Sequence, residues 1–321
     1  MNRAALVEAA RESIRRGSKS FAAASRLFDR TTRERVWLLY TWCRACDDLA
    51  DGQDHGGPQG SGPAYGEGFS LDGESRLATI RTLTELAFAG ERTGVPAFDA
   101  LGELAREVPI TRAMAEDVIG GFALDTAGWR PRTEADLLRY CFHVAGAVGV
   151  MMGVVMGVPA GDDDTLDRAC DLGIAFQLSN ILRDLAEDEV MGRCYLPADW
   201  LAEQGIGEGE LMAPWNRPVL LALVRHYCDL VEIYEASARV GAGRLAFRQR
   251  WAVLSAARIY GGIGREVARR GAEAWDDRVR TSRAEKLACV ARALAEACLS
   301  PAQPGVKPPL SRRDLAAMAR R

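Results

Sequence analysis

Tyr40, Arg44, Asp47 and Asp51, within the stretch YTWCRACDDLAD, are spaced 4, 3 and 4 residues apart, so one helical face carries all four. Two carboxylates four apart repel each other, at a cost of a few tenths of a kcal/mol unless a cation lies between them. Asp48 sits about 100° round the same helix. A solvated acidic face is the ordinary fate of such charges, but Trp37, Leu38, Leu39, Trp42 and Leu49 are too apolar for a freely exposed helix. A second stretch, LGIAFQLSNILRDLAEDEVMGRCYLP from Leu172 to Pro197, repeats the arrangement. There Gly173, Gln177, Asn180, Asp184 and Asp188 follow at 4, 3, 4 and 4. Left unpaired in a core, such amides and carboxylates would each cost roughly 1–3 kcal/mol. Hard oxygen ligands on a rigid face suit Mg²⁺, which combines carboxylates with waters and substrate phosphates. Arg183, Arg193 and Tyr195 add hydrogen-bond donors for an anion.

Two D-x-x-x-D helices in one chain define a chemistry. Facing carboxylate pairs can hold a cluster of Mg²⁺ or Mn²⁺ ions, and the ions can hold a diphosphate. Once metal and arginine neutralise its charge, diphosphate is a good leaving group. An apolar helical surround would enclose a hydrocarbon chain and shield a carbocation from water. The reaction implied is ionisation of an allylic diphosphate.

The elements that must position these groups are helices. Period-2 alternation is nearly absent, and helical periodicity predicts segments near 3–16, 20–28, 32–51, 71–90, 97–107, 111–127 and 133–157. It continues near 164–191, 198–204, 208–213, 217–246, 249–274 and 281–299. Gly52 to Ser70 holds seven glycines with Pro58 and Pro63 and reads as a mobile loop. The expected organisation is one all-α domain over 1–300, followed by a flexible Pro/Arg-rich tail over 301–321 with little to bury. Val144 to Ala160 carries no charge, and Gly149, Gly153 and Gly157 give it a small-x-x-x-small stripe. It is short for a membrane span and ends at Pro159, so a buried central helix is expected.

Composition closes other routes. With 48% hydrophobic and 26% charged residues the 321-residue chain is no disordered segment, and a net charge of −3 offers no global field for nucleic acid. Basic residues number 41, yet only Lys19, Lys286 and Lys307 are lysines. Base composition accounts for that in the simplest way, although guanidinium forks also match phosphate geometry. Eight scattered cysteines behind a charged amphipathic start point to a reducing cytoplasm. Cys43 and Cys46 form a lone C-x-x-C, and with only three histidines a zinc site is not expected.

Three blocks, YTWCRACDDLAD, YCFHVAGAVG from Tyr140 to Gly149, and QLSNILRDLAEDEVMGRCYLP, together resemble the squalene/phytoene synthase family. The ordered resemblance runs from about Lys19 to Arg278. It implies a single isoprenoid-synthase helical domain around a central apolar cavity, and a head-to-head prenyltransferase of the phytoene-forming branch. It further implies metal ligation by Asp47, Asp51, Asp184 and Asp188, with Asp48 completing the first motif. Tyr40, Arg44, Arg193 and Tyr195 match positions that contact diphosphate or guide a second ionisation. Gln177, Asn180 and Arg183 match polar cavity positions, and Ser20, Tyr140, Tyr260 and Arg278 fall where the family places binding residues. The implied partners are geranylgeranyl diphosphate, prephytoene diphosphate and phytoene, with no nicotinamide cofactor (no NADPH). So apolar a product implies transient contact with the inner membrane face. Two alternatives stand beside this reading: a relative that uses farnesyl diphosphate to make dehydrosqualene or squalene, and a non-catalytic helical assembly protein of the same fold.

Overall fold

The computed structural model describes the chain apart from residues 55–56, 59–71, 300–306 and 320–321. For Lys19, Ser20 and residues 53, 54, 57 and 58 it describes the backbone alone. The loop expected at Gly52–Ser70 and the proline-rich part of the tail therefore lie largely outside the described residues.

Helices make up nearly all of what is described: α1 (Arg3–Gly17), α2 (Lys19–Ala24), α3 (Arg30–Asp51), α4 (Gly73–Ala89), α5 (Pro96–Glu107), α6 (Arg112–Thr126) and α7 (Glu134–Cys141). A π-turn over Phe142–Gly146 leads into α8 (Ala147–Val155), followed by α9 (Asp163–Val190), α10 (Ala198–Glu203), α11 (Arg217–Ala242), α12 (Phe247–Arg270), α13 (Arg283–Ala297) and α14 (Arg312–Ala319). A two-residue antiparallel pair, Gln53–Asp54 with Gly57–Pro58, is the only strand pairing among the described residues. The chain forms two compact units, residues 1–127 with 151–161 and residues 128–150 with 162–321.

In the first unit α3 is the central helix, packed by α1, α4 and α5. Asp29 caps its N-terminus by accepting a hydrogen bond from the Thr32 amide at 3.0 Å. Gly52 closes its C-terminus at φ 65°, a left-handed conformation that glycine adopts without strain. The helix therefore stops directly after Asp51. Its inner face buries Val36, Leu38, Leu39, Trp42, Cys46 and Leu49. Full burial of one such side chain is worth about 1.5–3 kcal/mol.

In the second unit α9 is central, packed by α11, α12 and the π-turn. Ile174, Ala175, Leu178, Ile181, Leu182 and Leu185 form its buried stripe. Close approach is secured by glycine. A Cβ on Gly173 would lie 2.2 Å from the Ala145 carbonyl oxygen, and one on Gly149 would lie 2.3 Å from that of Ala169. Glu134–Val155 is long and apolar enough to cross a membrane, but 67% of its apolar window is buried inside the protein.

Three local outcomes differ from the sequence expectation. Residues 208–213 form turns instead of a helix, because the Leu211 and Met212 amides donate to the Glu189 carboxylate at 2.6 and 3.1 Å. The predicted helix 133–157 is interrupted by the π-turn. Beyond residue 306 the chain has more to bury than its composition suggested. Leu315 of α14 is fully buried, and Arg312 donates to Asp167 at 2.6 Å and to Asp163 at 2.8 Å.

One buried acid inside the second unit makes stability depend on pH. Asp171 of α9 accepts a hydrogen bond from the Ser237 hydroxyl of α11 at 2.5 Å, and burial pushes its carboxyl up to about 7. The folded chain thus keeps a proton that the unfolded chain releases near pH 4. Stability contributed by that proton is present below about pH 4 and is lost as pH rises through about 7. Asp171→Asn, which can still accept from Ser237, should flatten this decline and raise the melting temperature above pH 7. An unchanged melting profile across that window would show that Asp171 ionises freely in the fold.

Candidate active site

Helix α3 brings together most of the first predicted group. Arg44 forks between two acids, with Nη1 2.9 Å from Asp47 and Nη2 2.5 Å from Asp48. Asp48 faces inward and is buried, whereas Asp47 is half-exposed and Asp51 exposed at the helix end. The 100° offset read from the sequence thus separates Asp48 from the acids beside it. Burial pushes the Asp47 carboxyl up to about 6, with Arg44 pulling the other way and Asp51, Asp48 and Asp125 adding repulsion. Sequence spacing did not show Asp125 of α6, whose charge acts on Asp47 from another helix. Tyr40 packs against Phe21 at 5.6 Å between ring centroids. Gly17 leaves room for the Tyr40 hydroxyl, since a Cβ there would lie 2.3 Å from it. Ser20 belongs to α2, but its side chain lies outside the described residues.

Helix α9 carries the second group. Gln177, Asn180, Asp184 and Asp188 are all half-buried along one face, away from the stripe of buried apolar side chains. Two guanidiniums hold Asp184. Arg183 donates through Nε at 2.6 Å and Nη2 at 2.5 Å, and Arg278 donates through Nε at 3.0 Å. Arg278 also lies 3.5 Å from Glu187. It comes from the loop after α12, and the Trp275 indole, donating to the Leu182 carbonyl at 2.9 Å, pins that loop to α9. No spacing rule reaches across that gap, so sequence reading missed the role of Trp275.

Aromatic rings line the same unit. Tyr140 and Tyr195 are buried and stacked at 4.6 Å, with Trp129 on the other side of Tyr140 at 6.0 Å. Trp129 is the stack member that no sequence signal indicated. Tyr260 of α12 lies against Phe176 of α9 at 4.7 Å. Burial raises its hydroxyl, while nearby Arg183 lowers it. The Arg193 amide closes the end of α9 on the Asp188 carbonyl at 2.8 Å, and its side chain is exposed.

Among the described residues no three His, Cys, Asp or Glu side chains converge as a ready-made metal cage. The donor chemistry nevertheless fits Mg²⁺ or Mn²⁺, which are held through one or two carboxylates with waters and phosphates. Asp47 and Asp51 offer paired carboxylates of the right hardness. Asp184 offers a carboxylate already compensated by positive charge.

The squalene/phytoene synthase family profile matches residues 14–285. The chain is 45% identical over 288 residues to the phytoene synthase of Pseudescherichia vulneris, spanning 90% of this chain and 91% of that one. It is 44% identical over 300 residues to the 15-cis-phytoene synthase of Pantoea ananas, covering 94% of each. Among solved structures, a ligand-bound dehydrosqualene synthase superposes with a TM-score of 0.78 at 24% identity, over 92% of this chain and 97% of that one. Squalene synthase HpnC from Alicyclobacillus acidocaldarius superposes at 0.71 with 22% identity, over 83% and 94%. These two superpositions establish the all-α isoprenoid-synthase fold.

Proposed function

The chain belongs to the squalene/phytoene synthase family, and on that premise we propose that it condenses two geranylgeranyl diphosphates head to head, through prephytoene diphosphate, to phytoene. The observation that carries the reading is the survival of both D-x-x-x-D motifs with arginine partners, in a chain so similar to phytoene synthases. Asp47, Asp51, Asp184 and Asp188 would hold the divalent ions. When bound, Mg²⁺ or Mn²⁺ neutralises the diphosphate and eases its departure.

The remaining work falls to the chain's own groups. Arg44, Arg183, Arg193 and Arg278 supply N–H donors for the leaving diphosphate. Asp48, buried against Arg44, fixes the aim of that guanidinium. Gln177, Asn180 and Ser20 orient the diphosphate end of the substrate. The faces of Tyr40, Tyr140 and Tyr260 stabilise cationic carbon, and Tyr195 braces Tyr140 through their stack. The final cation is quenched by proton loss to the released diphosphate or to a tyrosine oxygen, so no hydride donor is needed. Residues 1–300 form the working domain of this proposal. So apolar a hydrocarbon product leaves into lipid, which puts its release at a membrane surface.

Incubation with geranylgeranyl diphosphate and Mg²⁺, with and without NADPH, tests the reading. Phytoene is expected in equal amounts from both tubes. A product that requires NADPH, or that forms only from farnesyl diphosphate, would move the protein to the squalene branch.

A further inference from the structure

Helix α1, the start of α3 and the stretch Ala22–Arg26 wall a half-open groove of about 1080 Å³. Its lining is strongly basic, with six guanidiniums against two carboxylates. Glu34, one of the two, is already satisfied: Arg3 and Arg30 donate to it at 2.6 and 2.8 Å and hold its carboxyl below the usual range. Arg11 and Arg15 make only exposed pairs with Glu8 and Glu12 on the same helix, contacts worth little and readily exchanged for a phosphate. Arg26 and Arg33 have no carboxylate partner among the described residues. Arg33 lies over the Trp37 ring at 5.6 Å, and its Nε is buried without a hydrogen bond. Ala4, Val7, Ala22 and the Trp37 ring supply an apolar floor.

The charge surplus calls for an anion, and the floor calls for hydrocarbon. A groove of this volume matches a drug-sized ligand and is far larger than a bare phosphate requires. The geometry points to a binding site for a phosphate-bearing amphiphile, its head on Arg26 and Arg33 and its chain along Val7 and Trp37. Two sources offer that chemistry, a soluble prenyl diphosphate and the headgroup of an anionic phospholipid.

The full chain, kept in chelator to suppress metal-dependent binding, is titrated calorimetrically with farnesyl diphosphate. In parallel it is co-sedimented with vesicles of phosphatidylglycerol and phosphatidylcholine, and with vesicles of phosphatidylcholine alone. The variants are Arg26→Glu with Arg33→Glu, and Arg26→Gln alone, the second at an exposed position where folding is not at stake. Binding weakened about tenfold or more by the double variant, and weakened in the same direction by Arg26→Gln, supports the site. Loss confined to the calorimetric arm identifies a soluble isoprenoid, and loss confined to anionic vesicles identifies a lipid headgroup. No binding in either arm, or binding equal in wild type and both variants, overturns the proposal. Metal-dependent turnover of Arg26→Gln should match wild type, which separates this site from the reading of the active centre.

Discussion

Asp47→Asn should lower turnover by a factor on the order of 10² or more, about 2.7 kcal/mol of barrier, while the protein stays folded. The substitution removes charge but almost no volume, and the side chain is half-exposed, so no cavity opens. Arg44 keeps its second partner, Asp48, so no guanidinium is stranded. Relief of repulsion with Asp51 should leave the melting temperature equal or slightly higher. Asp184→Asn should cost a similar factor in rate but also loosen the fold, because Arg183 and Arg278 both lose a charged acceptor. Rates and melting curves measured on the two variants check this contrast. Near-normal turnover in either would exclude that residue from the metal-binding set.

Gly173→Val should carry a large stability effect. The atoms that a Cβ would meet are the Ala145 carbonyl oxygen at 2.2 Å and its carbon at 2.5 Å. Both are backbone, so no side chain can swing aside, and α9 must part from the π-turn. Loss of stability on the order of 4 kcal/mol or more is expected, enough to consume much of a marginal total. Gly262 of α12 provides the control, since nothing lies within 4 Å of its Cβ position. Gly262→Ala should stabilise by about 0.5–1 kcal/mol through helix propensity. Thermal unfolding of the pair decides the matter; a Gly173→Val protein that melts near wild type would show that the helices separate cheaply.

Helix faces were legible in the sequence because periodicity is a local property. The spacing from Tyr40 to Asp51 and from Gln177 to Asp188 gave α3 and α9 their polar stripes, and the structure keeps those residues on their helices with apolar stripes opposite. Partners brought from afar were not legible. Nothing in the sequence around Asp184 announces that Trp275 will anchor the segment carrying Arg278, 94 positions away. The family resemblance placed Arg278 among binding residues, but only tertiary structure joins it to Asp184. The same limit explains residues 208–213, whose helical pattern yields to a carboxylate, Glu189, arriving from another element. It also explains α14, since one leucine and two arginines suffice to dock a helix only where Asp163 and Asp167 wait to receive them.

The π-turn at Phe142–Gly146 holds one residue more per turn than an α-helix would. On its near side Tyr140 meets Tyr195; on its far side Gly149 meets Ala169. Removing a single residue from the turn would restore regular helix and leave the two sides almost in phase, because the wider turn spends that extra residue on nearly the same rotation. The ring stack and the glycine seat would both keep their mates. The turn is therefore a reserve of one residue: the helix can shed it without a compensating change, whereas a further insertion would need a second such turn to keep both sides seated.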